Sequence, residues 1–118
     1  MKSTLSIDNH KVISWNKLYS QRHWIVRKNM ADEIHQLIKF EAIGQEIPHF
    51  DKPVKLKMIA GKKSRPVDAS NICLKLYEDG LVNAGILDSD DYKHVLEVIL
   101  VSVKANIDYI EIEISDEV

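Results

Sequence analysis

Cysteine is nearly absent: Cys73 is the single thiol in 118 residues. One thiol closes no internal disulfide and suits a reducing compartment, so a cytoplasmic protein is expected. Four histidine or cysteine ligands at zinc-finger spacing are missing too. No apolar run reaches the ~18 residues of a membrane span, so no membrane partner is expected. The opening MKSTLSIDNHK lacks the apolar core of a signal peptide. No glycine-rich phosphate loop appears among the 4 glycines, which leaves a nucleotide- or sugar-binding enzyme unsupported. Internal repeats and low-complexity tracts are absent as well.

What is present fits one soluble globular domain over residues 1–118. Hydrophobic residues make up 45% and charged residues 29%, enough apolar material for a single core. The net charge of −2 conceals an asymmetry along the chain. Residues 1–65 carry 13 Lys and Arg against 6 Asp and Glu, whereas residues 66–118 carry 3 against 12. Such a split is compatible with a basic surface for a polyanion beside an acidic cluster for a cation. Folding that mixes the two halves would erase it.

Periodicity predicts the element order strand, helix, strand, helix, strand, strand. Thr4-Leu5-Ser6-Ile7 alternates as a strand, and Asp8 to about Ser20 reads as loop. Trp24, Ile34, Leu37, Ile38 and Phe40 or Glu41 recur near helical spacing between about Gln21 and Ile43, with Gly44 as a stop. Val54 to Ile59 alternates as a strand with a lysine face, and Gly61-Lys62-Lys63-Ser64-Arg65-Pro66 is a basic loop. Ile72, Leu76, Gly80 and Ala84 then lie four apart on a second helix, with Asp68 or Ser70 as N-cap and Gly85 as C-cap. Val95 to Val103 reads as a strand buried on both faces. Ile110 to Ile114 alternates as a strand with one wet face. The expected fold is α/β (α+β): a small mixed sheet of about four strands with two helices packed on it.

Between the second helix and the third strand, Asp88-Ser89-Asp90-Asp91-Tyr92-Lys93 puts three carboxylates into four positions. An EF-hand loop is excluded, because its glycine and glutamate positions fall on Lys93 and Ile99. A solvated turn is the simple reading. The other reading pairs this turn with Asp68 in a metal site, yet a helix of about 15 residues separates the two by roughly 22 Å. Only a turn folded back along the helix could join them. Asn71, Lys75 and Asp79 lie four apart on one face of that helix, a polar stripe or an ordinary i,i+4 ion pair.

The run RPVDASNICLKLYEDGLVNAGILDSDD, Arg65 to Asp91, resembles the RusA family of Holliday-junction resolvases. That family shows basic residues, then D-x-D-N, a helix with K-x-x-x-D-x-L-x-x-A-G, and a D-D pair. Ser14-Trp15-Asn16-Lys17-Leu18-Tyr19 resembles the family's early Ser-Asn loop. The match is specific over about 27 residues and loose elsewhere. The resemblance implies a homodimeric, Mg²⁺-dependent endonuclease, with Mn²⁺ as a substitute, that nicks four-way DNA junctions symmetrically. It implies Asp68 and Asp91, with Asp90 in reserve, as metal ligands. It further implies Lys75 as a charge beside the transition state and Asn71 as an orienting amide. Asp79 matches the family's helix aspartate. The chain departs from the pattern at Ser70, where the second motif aspartate belongs, and by one extra residue before Lys75 and one before Asp90-Asp91.

Lys62, Lys63 and Arg65 would grip backbone phosphates beside such a site without reading sequence. Lys17, Arg22, His23, Arg27 and Lys28, interleaved with Trp15, Tyr19 and Trp24, form a second basic stretch. It could track a DNA arm and stack on a base, or be the wet face of a helix whose Trp24 is core. His23 has no partner motif and reads as surface. Cys73, Tyr77 and Met58 read as core. The rival function is a catalytically inactive relative that binds junctions or forms a dimeric interaction module.

Overall fold

In the computed structural model, which describes residues 1–117, alternation along four segments builds one mixed sheet. The strands are β1 (Lys2–Asp8), β2 (Val54–Lys62), β3 (Val95–Lys104) and β4 (Tyr109–Ser115), and their spatial order is β1-β4-β2-β3. β4 runs antiparallel to both neighbours, with Ile112 opposite Leu5 on one side and Met58 on the other. β2 and β3 are parallel, with Met58 opposite Leu100. The inward residues Leu5, Ile7, Val54, Leu56, Met58, Ile110, Ile112 and Ile114 are buried, while the other face of β4 stays half-exposed. That is the one-wet-face strand its alternation predicts.

The helices α2 (Trp24–Gly44) and α3 (Leu74–Asn83) supply the other half of the core through Ile34, Ile38 and Ala42, and through Leu76, Tyr77 and Leu81. They approach closely because position 80 is glycine: a Cβ there would sit 2.5 Å from Ile38 Cδ1. Cys73, Tyr77 and Met58 are buried, as core residues.

Four local expectations change. Trp15–Tyr19, read as loop, forms a short helix α1, whose N-cap Ser14 accepts the Lys17 N–H at 3.0 Å. Trp24, on the apolar pattern of α2, is 67% exposed and takes no part in the core. The helix expected from Asp68 or Ser70 begins only at Leu74. Ile72 instead bridges Ser14, and the Cys73 N–H donates to Ile13 O at 3.0 Å, so tertiary pairing keeps these residues extended. Asp68 therefore precedes a single 3-10 turn, Ala69–Asn71. At the far end Ala84 closes the helix and Gly85 follows at φ 77°, the left-handed position that favours glycine. Finally, β3 is not buried on both faces. It is an edge strand with exposed apolar residues, paired on one side only.

The segment joining β1 to α1 is fastened to α3 by one phenol. Tyr77 Oη accepts the Ile13 N–H at 2.9 Å and meets His10 Nε2 at 2.7 Å. Burial pushes the Tyr77 phenol up and the His10 imidazole down, so both stay neutral near pH 7. Replacing Tyr77 by Phe leaves the Ile13 N–H without its partner. We expect a loss of about 1–3 kcal/mol in urea unfolding, the cost of an orphaned buried donor.

Candidate functional site

β2 ends at Lys62 and hands the chain to the basic loop. The loop is tied back to the sheet's far end. Asp108 Oδ1 accepts the Lys63 N–H at 2.9 Å, and Lys104 Nζ donates to the carbonyls of Lys63 and Ser64. The Ser102 hydroxyl donates to Val67 O. So anchored, Lys62, Arg65, Asp68 and Asn71 line an open cavity of about 400 Å³. Lys62 and Val67 also line a neighbouring cavity of about 510 Å³ that adds Lys11, Ser14 and Lys17. Together they make a cleft edged by four cations, with one carboxylate of α2, Glu33, on its second wall.

Asp68 is exposed, and its carboxylate caps no helical N–H. Asn71 Oδ1 accepts the Asn16 N–H at 3.3 Å, which joins the SWNKLY segment to the D-A-S-N segment. Lys75, in the first turn of α3, pairs with Asp79 at 3.0 Å and also with Asp90. The acidic turn therefore folds back onto α3, and its Asp90 carboxylate meets the helix face that carries Lys75 and Asp79.

The three carboxylates of DSDDYK diverge. Asp88 meets His49 Nε2 at 2.9 Å, Asp90 meets Lys75, and Asp91 meets His94 Nδ1 at 2.6 Å. Asp91 Oδ1 also accepts the Lys93 and His94 N–H groups at 3.0 and 3.1 Å, an Asx turn that leads into β3. Asp90, then, and not Asp91, is the member of the pair that faces α3. Contact with Lys75 holds the Asp90 carboxyl below the usual range, and contact with His94 does the same for Asp91. Hydrogen bonds donated to Asp90 and Asp79 raise the Lys75 ammonium well above its ordinary value, so it stays charged. Glu78, half-buried one residue before Asp79, is pushed up to about 7, first by burial and then by the Asp90 charge.

Among the described residues, no three His, Cys, Asp or Glu side chains gather at metal-binding distances. Asp68 in the cleft and Asp90 against Lys75 are each an oxygen donor of the kind Mg²⁺ takes, commonly one or two carboxylates plus waters.

The helix cations disperse. Lys17 lies in the cleft, but the guanidinium of Arg27 donates to Gln21 O at 2.8 Å and Lys28 pairs with Asp32 at 2.8 Å. Arg22 and His23 are exposed beside Trp24. Trp15 and Tyr19 stack on each other, centroids 5.6 Å apart, which occupies one face of each ring. Cys73 is buried and its thiol is raised by desolvation, so it is not a nucleophile. Sequence reasoning missed Lys11, Lys104, Asp108 and Glu78. Glu78 sits three residues after Lys75 and was visible as a helix neighbour. Nothing local marks the other three: Lys104 and Asp108 matter through the ends of paired strands, and Lys11 through the loop that lines the cleft.

Comparison with known proteins adds no relative: no family model matches the chain, and no curated protein matches its sequence.

The raised Glu78 has a pH consequence of definite sign. Its folded pKa of about 7 exceeds the ordinary carboxylate value of 4.5, so the folded chain binds the extra proton and stability falls as pH rises through that window. Glu78→Gln should match the parent in urea unfolding near pH 4.5. It should be the more stable chain by about 1 kcal/mol above pH 7, a figure discounted for half exposure.

Proposed function

We propose that this chain is a RusA-like endonuclease of four-way DNA junctions, Mg²⁺-dependent and homodimeric, working in the cytoplasm. The observation that carries the reading is the return of the acidic turn onto α3. Asp90 reaches Lys75 and so joins the face of α3 that carries Asp79, while Asp68 and Asn71 line the cationic cleft ahead of that helix. Sequence spacing alone argued against such a return. No helix of the described residues is long and apolar enough to cross a membrane.

The division of labour follows from the groups present. Lys11, Lys17, Lys62 and Arg65 offer four charges to a phosphate backbone, with Lys63 beside them, and this contact is blind to sequence. Asp68 and Asp90 would hold the ion. When bound, it would polarise a phosphodiester as a Lewis acid and neutralise charge on the leaving oxygen. Lys75 holds its proton firmly and so keeps a fixed positive charge for the phosphorane-like transition state. Asn71, its oxygen engaged by Asn16 N–H, retains an amide NH₂ to donate to a phosphate oxygen.

A second reading has its own support: an inactive relative that binds junctions only. Ser70 removes a carboxylate that the family motif carries, and Lys75 already neutralises Asp90. One assay separates the two. With a labelled four-way junction, the nuclease reading expects paired nicks in Mg²⁺ or Mn²⁺ and none in EDTA. Asp68→Asn and Asp90→Asn should each abolish nicking and leave junction binding within about threefold, since on this reading each holds the ion and the cations of the cleft hold the phosphates. Binding without nicks in every metal would establish the second reading.

Phosphate contact by the cleft predicts its own salt signature. Lys62→Ala and Arg65→Ala should weaken junction binding equally across sequences, and each should lower the salt slope by about 0.9. Lys28→Ala, whose ammonium is paired with Asp32, should change the slope little.

A further inference from the structure

β3 is a free edge. Its single strand partner among the described residues is β2, and the whole run Val95–Lys104 carries two charges, Glu97 and Lys104. Leu96, Val98 and Ile99 are 60%, 37% and 46% exposed, on both faces of the strand. Monomeric proteins guard such an edge with outward charges, proline, bulges or a covering helix. Here the two charges are turned to their own subunit. Glu97 pairs with Lys55 on β2 at 3.8 Å, and the Lys104 ammonium is bound to the carbonyls of Lys63 and Ser64. The one register irregularity lies at the strand's start, opposite Val54 and Lys55, and leaves the rest of the edge regular. The Ala105 N–H donates to Lys62 O at 3.0 Å, so by alternation the N–H groups of Ser102, Leu100 and Val98 face outward.

We infer that β3 pairs antiparallel with β3 of a second copy, about a two-fold axis normal to the sheet near Leu100, giving a continuous eight-stranded sheet. The strand is complementary to itself in this arrangement. Val98 lies opposite Ser102 of the second copy, Ile99 opposite Val101, and Glu97 opposite Val103. Leu96 falls along the aliphatic stem of Lys104. No like charges meet, and same-face pairing is kept, since antiparallel partners point to one side of a sheet. A foreign strand would have no reason to match this pattern. The inference deepens the homodimer of the proposed function by placing its interface, and it is argued from the strand itself. It would place the two cationic clefts at opposite ends of the joined strands, related by the two-fold that a paired cut requires.

The experiment is sedimentation equilibrium of the full chain at micromolar concentration without DNA, so that its outcome is independent of any nicking result. The parent should sediment at twice the 13.6 kDa chain mass. Ile99→Lys and Val98→Lys, each placing a charge on an already exposed site, should weaken association at least ~tenfold with an unchanged circular dichroism spectrum. A monomeric parent overturns the inference and leaves the edge to a foreign strand. A dimer that survives both substitutions also overturns it, since the interface then lies elsewhere. Should the variants fail to fold, amide exchange on the parent decides. Protection of the Val98 and Leu100 N–H groups that grows with protein concentration supports the pairing, and fast exchange at every concentration refutes it.

Discussion

The structure depends on β4 taking the place between β1 and β2. These two strands never touch, and every hydrogen bond that unites the N-terminal strand with the rest of the sheet passes through the last one. The isoleucines Ile110, Ile112 and Ile114 are all fully buried because β4 has a strand on each side and helices over one face. The sheet cannot be completed until the chain's two ends meet. That closure is made tangible by the Met1 ammonium, which contacts Asp116 Oδ1 at 2.6 Å.

Two consequences of that insertion reach the candidate site. With β4 in the centre, β3 is displaced to the edge, parallel to β2, and the C-terminal ends of both open on the same side. The basic loop leaves β2 there, and Ser102, Lys104 and Asp108 near the end of β3 and the start of β4 hold it in place. The cleft is thus a product of sheet topology as much as of the lysines in it. The second consequence concerns the opposite end of β3. Its entry from the acidic turn, fixed by the Asp91 Asx turn and the His94 contact, steers Asp90 inward to Lys75. One aspartate of the pair serves backbone geometry and its neighbour the contact with Lys75.

Electrostatics then sorts residues that look alike in sequence. Asp79, Asp90 and Glu78 crowd around one ammonium, and the outcome differs with burial: Asp90 is lowered by its direct contact, while half-buried Glu78 is raised. Lys28 and Lys62 are both lysines on a basic stretch, yet Lys28 is spent on Asp32 and Lys62 faces the cleft. Summed charge along the chain says nothing of this, because it records neither the pairing nor the position of each cation.

What the sequence by itself determined is what repeats over short distances. Period-two alternation marked β2 and β4, helical spacing marked α2 and α3, and Gly85 marked the left-handed residue after the second helix. The RPVDASN segment and the DSDDYK turn were also visible as places of interest, since chemistry-bearing residues cluster there within a few positions. Tertiary structure alone decided the rest. Val95–Lys104 is as apolar as a central strand, and only the β1-β4-β2-β3 order makes it an edge. Ile72 and Cys73 carry helical spacing but are held extended by Ser14 and Ile13, far away in the chain. Trp24 fits the apolar stripe of α2 yet stays in water, because the core is already filled from Ile34 onward. Which aspartate of Asp90-Asp91 faces the helix turns on a hydrogen bond to His94. In each case the deciding partner lies outside the local pattern, and burial and strand order, unlike propensity, are properties of the closed fold.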